Sequence, residues 1–311
     1  MRTLVTGGTG FLGSHVVDRL RADGLEPFVA RSADYDLTQE DATARLLADA
    51  RPELVIHLAA LAGGIGANRA APGRFWYANL LMGAHVLEQS RLAGVEKLVL
   101  FGTVCSYPKH TPVPFHEDDL WIGYPEETNA PYGVAKKAHL VGAQAYREQY
   151  GLTSIYLLPA NLYGPRDNFH PTNAHVIPDL IRKTVHAQER GDREIVLWGD
   201  GTPTREFLYV EDCAEAIWLA AQRYDGPDPV NVGTGEEISI RELAELVAEV
   251  TGFDGEITWD TGKPNGQPRR RLDTSRATQL FGFHASTPLR DGLTRTIAWY
   301  RDNVSAAAVA R

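Results

Sequence analysis

Residues 4–13 read LVTGGTGFLG: an apolar run that breaks into Gly7, Gly10 and Gly13 and continues with helical spacing over residues 14–20. That order is strand, glycine turn, helix. Backbone N–H groups at the start of such a helix attract a diphosphate, and side chains on the turn would block its approach. The spacing G-x-x-G-x-x-G is tighter than the common dinucleotide fingerprint G-x-G-x-x-G, and by itself it also suits a glycine-rich turn with no ligand.

A second stretch, NAPYGVAKKAH at 129–139, narrows the reading. Tyr132 and Lys136 stand one helical turn apart, so phenol and ammonium project from one face. A fixed positive charge favours the phenolate and is expected to lower the tyrosine's pKa from about 10. The tyrosine could then exchange a proton with a substrate hydroxyl or ketone. The plain alternative, a surface helix pair, loses ground once the strand–turn–helix opening is included.

Around these motifs, strand-like runs at 26–30, 53–57, 97–102 and 153–159 alternate with amphipathic segments. Such alternation predicts an α/β fold, a Rossmann-like doubly wound parallel sheet. After Tyr163 the texture changes to GPRDNFHPTNAH, a loop beyond a strand's carboxyl end, before a helix from about His175. The last third mixes short strands (195–198, 229–232) with helices (239–250, 289–301), which reads as a smaller C-terminal α+β lobe for substrate. The expected division is 1–162 for the dinucleotide, with 205–234 returning to it, and 163–204 plus 235–311 for the substrate.

The 311 residues carry 43% hydrophobic side chains and a net charge of −9 with both signs interspersed. This excludes a nucleic-acid surface and makes any anion site a local cluster. No apolar run nears the roughly 20 residues that span a bilayer, and no signal-peptide pattern precedes the first strand. A cytoplasmic enzyme is the expectation, without membrane or nucleic-acid partners. Two cysteines, Cys105 and Cys213, and ten scattered histidines give neither a disulfide framework nor a metal site.

The glycine turn, HLAALAGG at 57–64 and the Tyr/Lys pair resemble the extended short-chain dehydrogenase/reductases that act on nucleotide sugars. AGGIGANRAAP, FGTVCSYPK, PANLYGPRDNFHPTNAHVIP, WGDGTPTREFLYVED and KPNGQPRRRLD are similar to the GDP-L-fucose synthase group within them, over nearly the whole chain. The resemblance implies an NADP-dependent enzyme that epimerises a 4-keto-6-deoxy nucleotide sugar at C3 and C5 and reduces C4. It puts Thr103 at the catalytic hydroxyl, usually serine, beside Tyr132 and Lys136. It makes Cys105 the base that removes a proton beside the ketone and His175 the acid that returns one to the opposite face. The chemistry is sound, since a C4 ketone acidifies its neighbouring C–H bonds and Tyr132 can stabilise the enolate oxygen. The bland readings are a threonine at a strand end and a cysteine as core filler. Cys105 lies two residues past Thr103, so in an extended chain both side chains share a face. Cys213, in EDCAEAIWLA, reads as packing.

For the cofactor, the resemblance implies contacts from Gly7, Thr9, Gly10, Phe11, Leu12, Gly13, Arg31, Leu58, Ala59, Ala60, Lys136, Pro159, Asn161, Leu162 and His175. For the substrate it implies Asn161, Val176, Lys183, Trp198, Arg205 and, from the run 269–271, Arg269. Guanidinium forks match phosphate oxygens, and Trp198 offers a flat face to a base or ribose. Asn79 fits the group's helix-kinking asparagine. Arg31, after the second strand with no immediate acid, favours NADP over NAD. Three departures stand out: Thr103 for serine, Lys183 where arginine is frequent, and Thr9 where the glycine loop usually carries arginine. They keep open NAD as cofactor and a second reading, a C4 epimerase acting on a related hexose or heptose nucleotide. A sensor or scaffold without catalysis is a third, against which the intact Tyr132 and Lys136 count. Related enzymes pair through the helices bearing Asn79 and Tyr132, which implies a homodimer.

Overall fold

The computed structural model describes residues 1–172, 174–263 and 265–305. The elements run β1 (Thr3–Thr6), α1 (Phe11–Ala22), β2 (Phe28–Ala30), α2 (Glu40–Ala50), β3 (Leu54–His57), α3 (Ile65–Ala70), α4 (Pro72–Leu92), β4 (Lys97–Phe101), α5 (Ala130–Tyr150) and β5 (Thr153–Pro159). They continue with β6 (Asn161–Tyr163), α6 (Val176–Arg190), β7 (Glu194–Trp198), β8 (Thr204–Arg205), β9 (Phe207–Tyr209), α7 (Val210–Arg223), β10 (Pro229–Val232), β11 (Ile238–Ser239), α8 (Ile240–Thr251), β12 (Glu256–Asp260), β13 (Arg269–Arg270), α9 (Ser275–Phe281) and α10 (Leu289–Tyr300).

Six parallel strands form the main sheet in the order β10-β5-β4-β3-β1-β2. β1, β3 and β10 are buried throughout, and their apolar runs suit a sheet covered on both faces. Helices α1, α7 and α9 pack together on one face; α2, α4 and α5 cover the other. This is the doubly wound arrangement expected from sequence. From β1 the chain winds first to β2 and then back through β3 to the far edge, so the direction reverses between β1 and β3. Ligands of open α/β sheets bind at such a reversal, outside the carboxyl ends of the strands.

The apolar interior falls into two clusters. One runs from Leu4 to Ala160, takes in Leu208 to Val232, and is joined by Leu272, Ala277, Phe281 and Phe283. The other packs α6, α8 and α10 with β7 through Ile181, Leu197, Leu243, Val247 and Ile297. Thus α9 packs with the dinucleotide-side core although it lies beyond residue 235, while residues 306–311 of the expected lobe lie outside the described residues.

One buried carboxylate ties three separate backbone segments together. Glu206, between β8 and β9, accepts the backbone N–H groups of Thr234 and Gly235 on Oε1, at 2.7 and 2.9 Å, and of Leu272 on Oε2 at 2.6 Å. Burial pushes its pKa up, and these three donors work against that rise. Removing the acceptor strands buried amides at about 1–3 kcal/mol each. Glu206→Ala is therefore expected to lower unfolding stability by about 3 kcal/mol or more, with Glu206→Gln in between; urea denaturation of the three proteins checks this, and an unchanged midpoint for alanine would rule the clamp out.

Candidate active site

The turn after β1 is shaped by backbone contact. Gly7 has φ +71, and a methyl group on it would lie 2.7 Å from the nitrogen of Ala59. On Gly13 a methyl group would meet the Gly7 carbonyl oxygen at 2.0 Å, which fixes the start of α1 against the turn. Helix α1 has no side-chain cap at Gly10 and no acid in its first turn, so the amides of Phe11, Leu12 and Gly13 form an uncapped, positive helix end. Thr9 and Gly10 stand exposed at its lip. Opposite, Thr6 Oγ1 hydrogen-bonds His57 Nδ1 at 2.8 Å and accepts the Ala59 N–H at 3.3 Å, which sets the path of Leu58, Ala59 and Ala60 past β3. Beyond that loop, the amide of Asn79 pairs both ways with the backbone of Leu61 at 3.0 Å and bonds the Phe75 carbonyl of its own helix at 2.7 Å. Pro159, Asn161 and Leu162 close the other side, with Asn161 Nδ2 donating to the Glu206 carbonyl at 2.9 Å.

The chemistry-bearing side chains gather at the end of β4. Thr103 is extended and its Oγ1 accepts the Cys105 N–H at 3.2 Å, capping a 3-10 turn, Val104–Ser106. The condition for Thr103 and Cys105 to share a face as on a strand, an extended chain, is not met, because the threonine hydroxyl starts a turn. Gly133, beside Tyr132, abuts this turn: a methyl group on it would lie 2.4 Å from the Cys105 carbonyl oxygen. Ser106 Oγ donates to the Gly133 carbonyl at 2.9 Å, and the hydroxyl of Tyr156 donates to the Lys136 carbonyl at 2.7 Å. The ring of Phe75 meets Tyr132 edge-on at 6.4 Å.

Electrostatically the pair departs from expectation. Burial pushes the Tyr132 phenol up, and negative charge on nearby Cys105 adds to the rise. The ring is only half-buried by surface area, so solvent in the cleft moderates the effect. Lys136 does not bring the phenol down; its own buried ammonium is lowered to about 8 by desolvation, which no carboxylate offsets. Tyr132 is consequently a neutral proton donor, and Lys136 a buried donor suited to ribose hydroxyls.

The substrate-side residues separate into groups. Arg269 pairs with Thr204 and Arg270 with Arg205 in the parallel register of β13 and β8. Side chains alternate along strands, so Arg269 and Thr204 share one face and both bind Glu237. Arg270 and Arg205 share the other. Arg270 donates to the Cys105 sulfur at 3.6 Å, and Arg205 is lowered to about 10 by burial and then by Arg270. Arg270, not Arg269, therefore stands beside Cys105, and it is the register of β13 against β8 that makes the choice. Lys183 is held by Asp179 at 3.0 Å, with the Val196 carbonyl at 3.4 Å, and Trp198 is exposed with Lys263 over its ring at 5.5 Å. Val176 opens α6 and His175 caps it; the surrounding protein disfavours the His175 cation, but the ring lies open to solvent. No hydrogen bond ties His175 to Thr103, Cys105 or Tyr132. Cys213 is fully buried in α7.

The uncapped helix end, the glycine cradle, the unpaired Lys136 and Arg31 beside the turn fit a dinucleotide, and with Tyr132 they define an NADP-dependent oxidoreductase or epimerase. The pattern of the NAD dependent epimerase/dehydratase family matches residues 3–233, and the chain belongs to that family. GDP-L-fucose synthase 1 of Arabidopsis thaliana is 43% identical over 97% of this chain and 94% of its own length. A GDP-L-fucose synthetase from Naegleria fowleri, solved with NADP, superposes with a TM-score of 0.89 at 29% identity over 97% of this chain and 94% of that one. A UDP-glucose 4-epimerase from Thermotoga maritima, solved with UDP-glucose, gives 0.88 at 30% identity over 98% and 100%. Among the described residues no helix is long and apolar enough to cross a membrane.

An uncompensated ammonium costs folding energy. With a folded value of about 8 against 10.5, Lys136 penalises stability fully below pH 8, and the penalty fades as pH rises to 10.5. At 1.36 kcal/mol per unit the ceiling is about 3 kcal/mol. Lys136→Met is expected to raise the melting temperature of the cofactor-free protein at pH 7, with a gain that shrinks between pH 8 and 10.5; a gain independent of pH would exclude the ammonium as its source.

Proposed function

We propose that this chain acts as a GDP-L-fucose synthase, using NADPH to convert a GDP-linked 4-keto-6-deoxy hexose by epimerisation at C3 and C5 and reduction at C4. The observation that carries the reading is the meeting of Thr103, Cys105 and Tyr132 at one strand end, with two guanidinium groups beside the thiol. Similarity to the synthases over nearly the full chain supports the same conclusion. Bound NADPH would supply hydride to C4. Lys136 and Arg31, with the α1 amides, would hold it.

In this mechanism Cys105 takes the proton next to the ketone, and the C–H electrons move onto the carbonyl oxygen as an enolate. Thr103 and Tyr132 donate hydrogen bonds to that oxygen. His175 returns a proton to the opposite face, which inverts the centre. In the reduction Tyr132, neutral at the pH of the reaction, gives its proton to the C4 oxygen. Arg205 and Arg270 hold the diphosphate. Lys183 and Trp198 extend toward the nucleotide, and Asn161 and Val176 line the sugar. A C4 epimerase is the second reading, favoured by Thr9. The two-lobe division at residue 162, with 205–234 returning, and a cytoplasmic setting belong to the same proposal.

Cys105→Ser keeps the shape but replaces the thiol by a hydroxyl too weakly acidic to act as base. On the 4-keto substrate the variant is expected to reduce C4 without inverting C3 or C5, and solvent deuterium should no longer enter those positions. Undiminished deuterium in the product would return Cys105 to packing and favour the C4 epimerase.

The chain is also proposed to form a homodimer through the outer faces of α4 and α5. Trp76, Tyr77, Val134 and Val141 are 43%, 55%, 37% and 50% exposed there, more apolar surface than isolated surface residues explain. Light scattering should give about twice 34.2 kDa at micromolar concentration, and Val141→Glu should halve it; a wild-type monomer would contradict the pairing.

A further inference from the structure

An open pocket of about 490 Å³ lies beside the glycine turn, and Thr9, Ser14, Asp18, Arg21 and Arg31 are among its lining residues. Ser14, Asp18 and Arg21 are four and three residues apart on α1, so they form one stripe along the helix. Arg31 supplies the facing wall from the end of β2. Arg21 and Arg31 thus line one cavity from two elements. The carboxylate in the lining, Asp18, is held by Arg166 at 2.7 Å. Arg21 is held from outside the pocket by Glu26, through a fork with contacts of 2.6 and 3.0 Å. Both partners are solvent-exposed, at 50% and 74%, and such pairs are weak and exchange readily.

We propose that Arg21 is a second ligand for the 2′-phosphate of NADP, facing Arg31 across this pocket, and that Glu26 competes with the phosphate for it. A phosphomonoester offers oxygens that a guanidinium fork matches better than a single carboxylate does, and it carries more charge at neutral pH. Arg21 needs only to turn from Glu26 toward the cavity. Neither residue touches the catalytic cluster, so the pair sets which dinucleotide enters without altering the chemistry. The inference rests on NADP as cofactor.

The test is calorimetric titration with 2′,5′-ADP and with 5′-AMP, which share adenosine and differ in the 2′-phosphate. Wild type should prefer 2′,5′-ADP. Arg21→Gln should weaken 2′,5′-ADP about three- to tenfold and leave 5′-AMP within about twofold. Glu26→Gln should strengthen 2′,5′-ADP about two- to threefold, and that gain should vanish in the Arg21→Gln background. Raising salt should shrink all these differences. If wild type prefers 2′,5′-ADP and Arg21→Gln binds it as well as wild type does, the role of Arg21 is overturned while NADP stands. A gain from Glu26→Gln that persists without Arg21 also overturns it, since Glu26 then acts only by general repulsion. No wild-type preference between the two nucleotides overturns both the NADP assignment and the second ligand.

Discussion

The backbone of Gly7 and that of Ala59 approach so closely that no side chain fits between them. The contact joins the ends of β1 and β3, where the winding of the sheet reverses, and it leaves the first turn of α1 pointing its bare amides along the sheet's carboxyl edge. Everything with chemical purpose hangs from that edge. The loop after β3 is pinned by Thr6 and Asn79, and β4 delivers Thr103 and its capped turn. The loop after β5 brings the chain into the second lobe. A displacement of the reversal would move the dinucleotide cradle relative to Tyr132 and Lys136, which arrive from a helix on the other side of β4.

Much of this was legible in the residues themselves. Strand 153–159 matches the observed element at both ends, and the glycine spacing marked a turn whose conformation only glycine tolerates. What sequence periodicity could not reach were features set by single contacts. The Thr103 hydroxyl bends the chain before Cys105, and no pattern of apolar residues encodes that. A run of three arginines has no internal marker of which one faces the site; pairing of β13 with β8 supplies it, and the choice moves from Arg269 to Arg270. The sign of the Tyr132 shift was missed for a related reason. Helical spacing places an ammonium nearby, but burial is a tertiary property, and here it outweighs the charge.

The site carries its purpose as a cost. A lysine ammonium without a counter-charge and a guanidinium disfavoured by burial and then by Arg270 are both costly to fold. Ligand groups would relieve them: ribose hydroxyls for Lys136, phosphate oxygens for Arg205 and Arg270. Binding energy therefore arises from relief of desolvation already incurred on folding, and polar ligands gain more in this cleft than exposed charges would offer.

The Glu206 clamp bears on how the enzyme cycles. Its carboxylate joins the β8–β9 link to the turns that follow β10 and β13, so parting these segments would leave three buried donors without their acceptor. β8 and β13, which carry Arg205 and Arg270, are thereby held as one piece with the end of β10. The entropy of ordering these segments is thus lost on folding, and positioning the two guanidinium groups adds little to it when a ligand arrives.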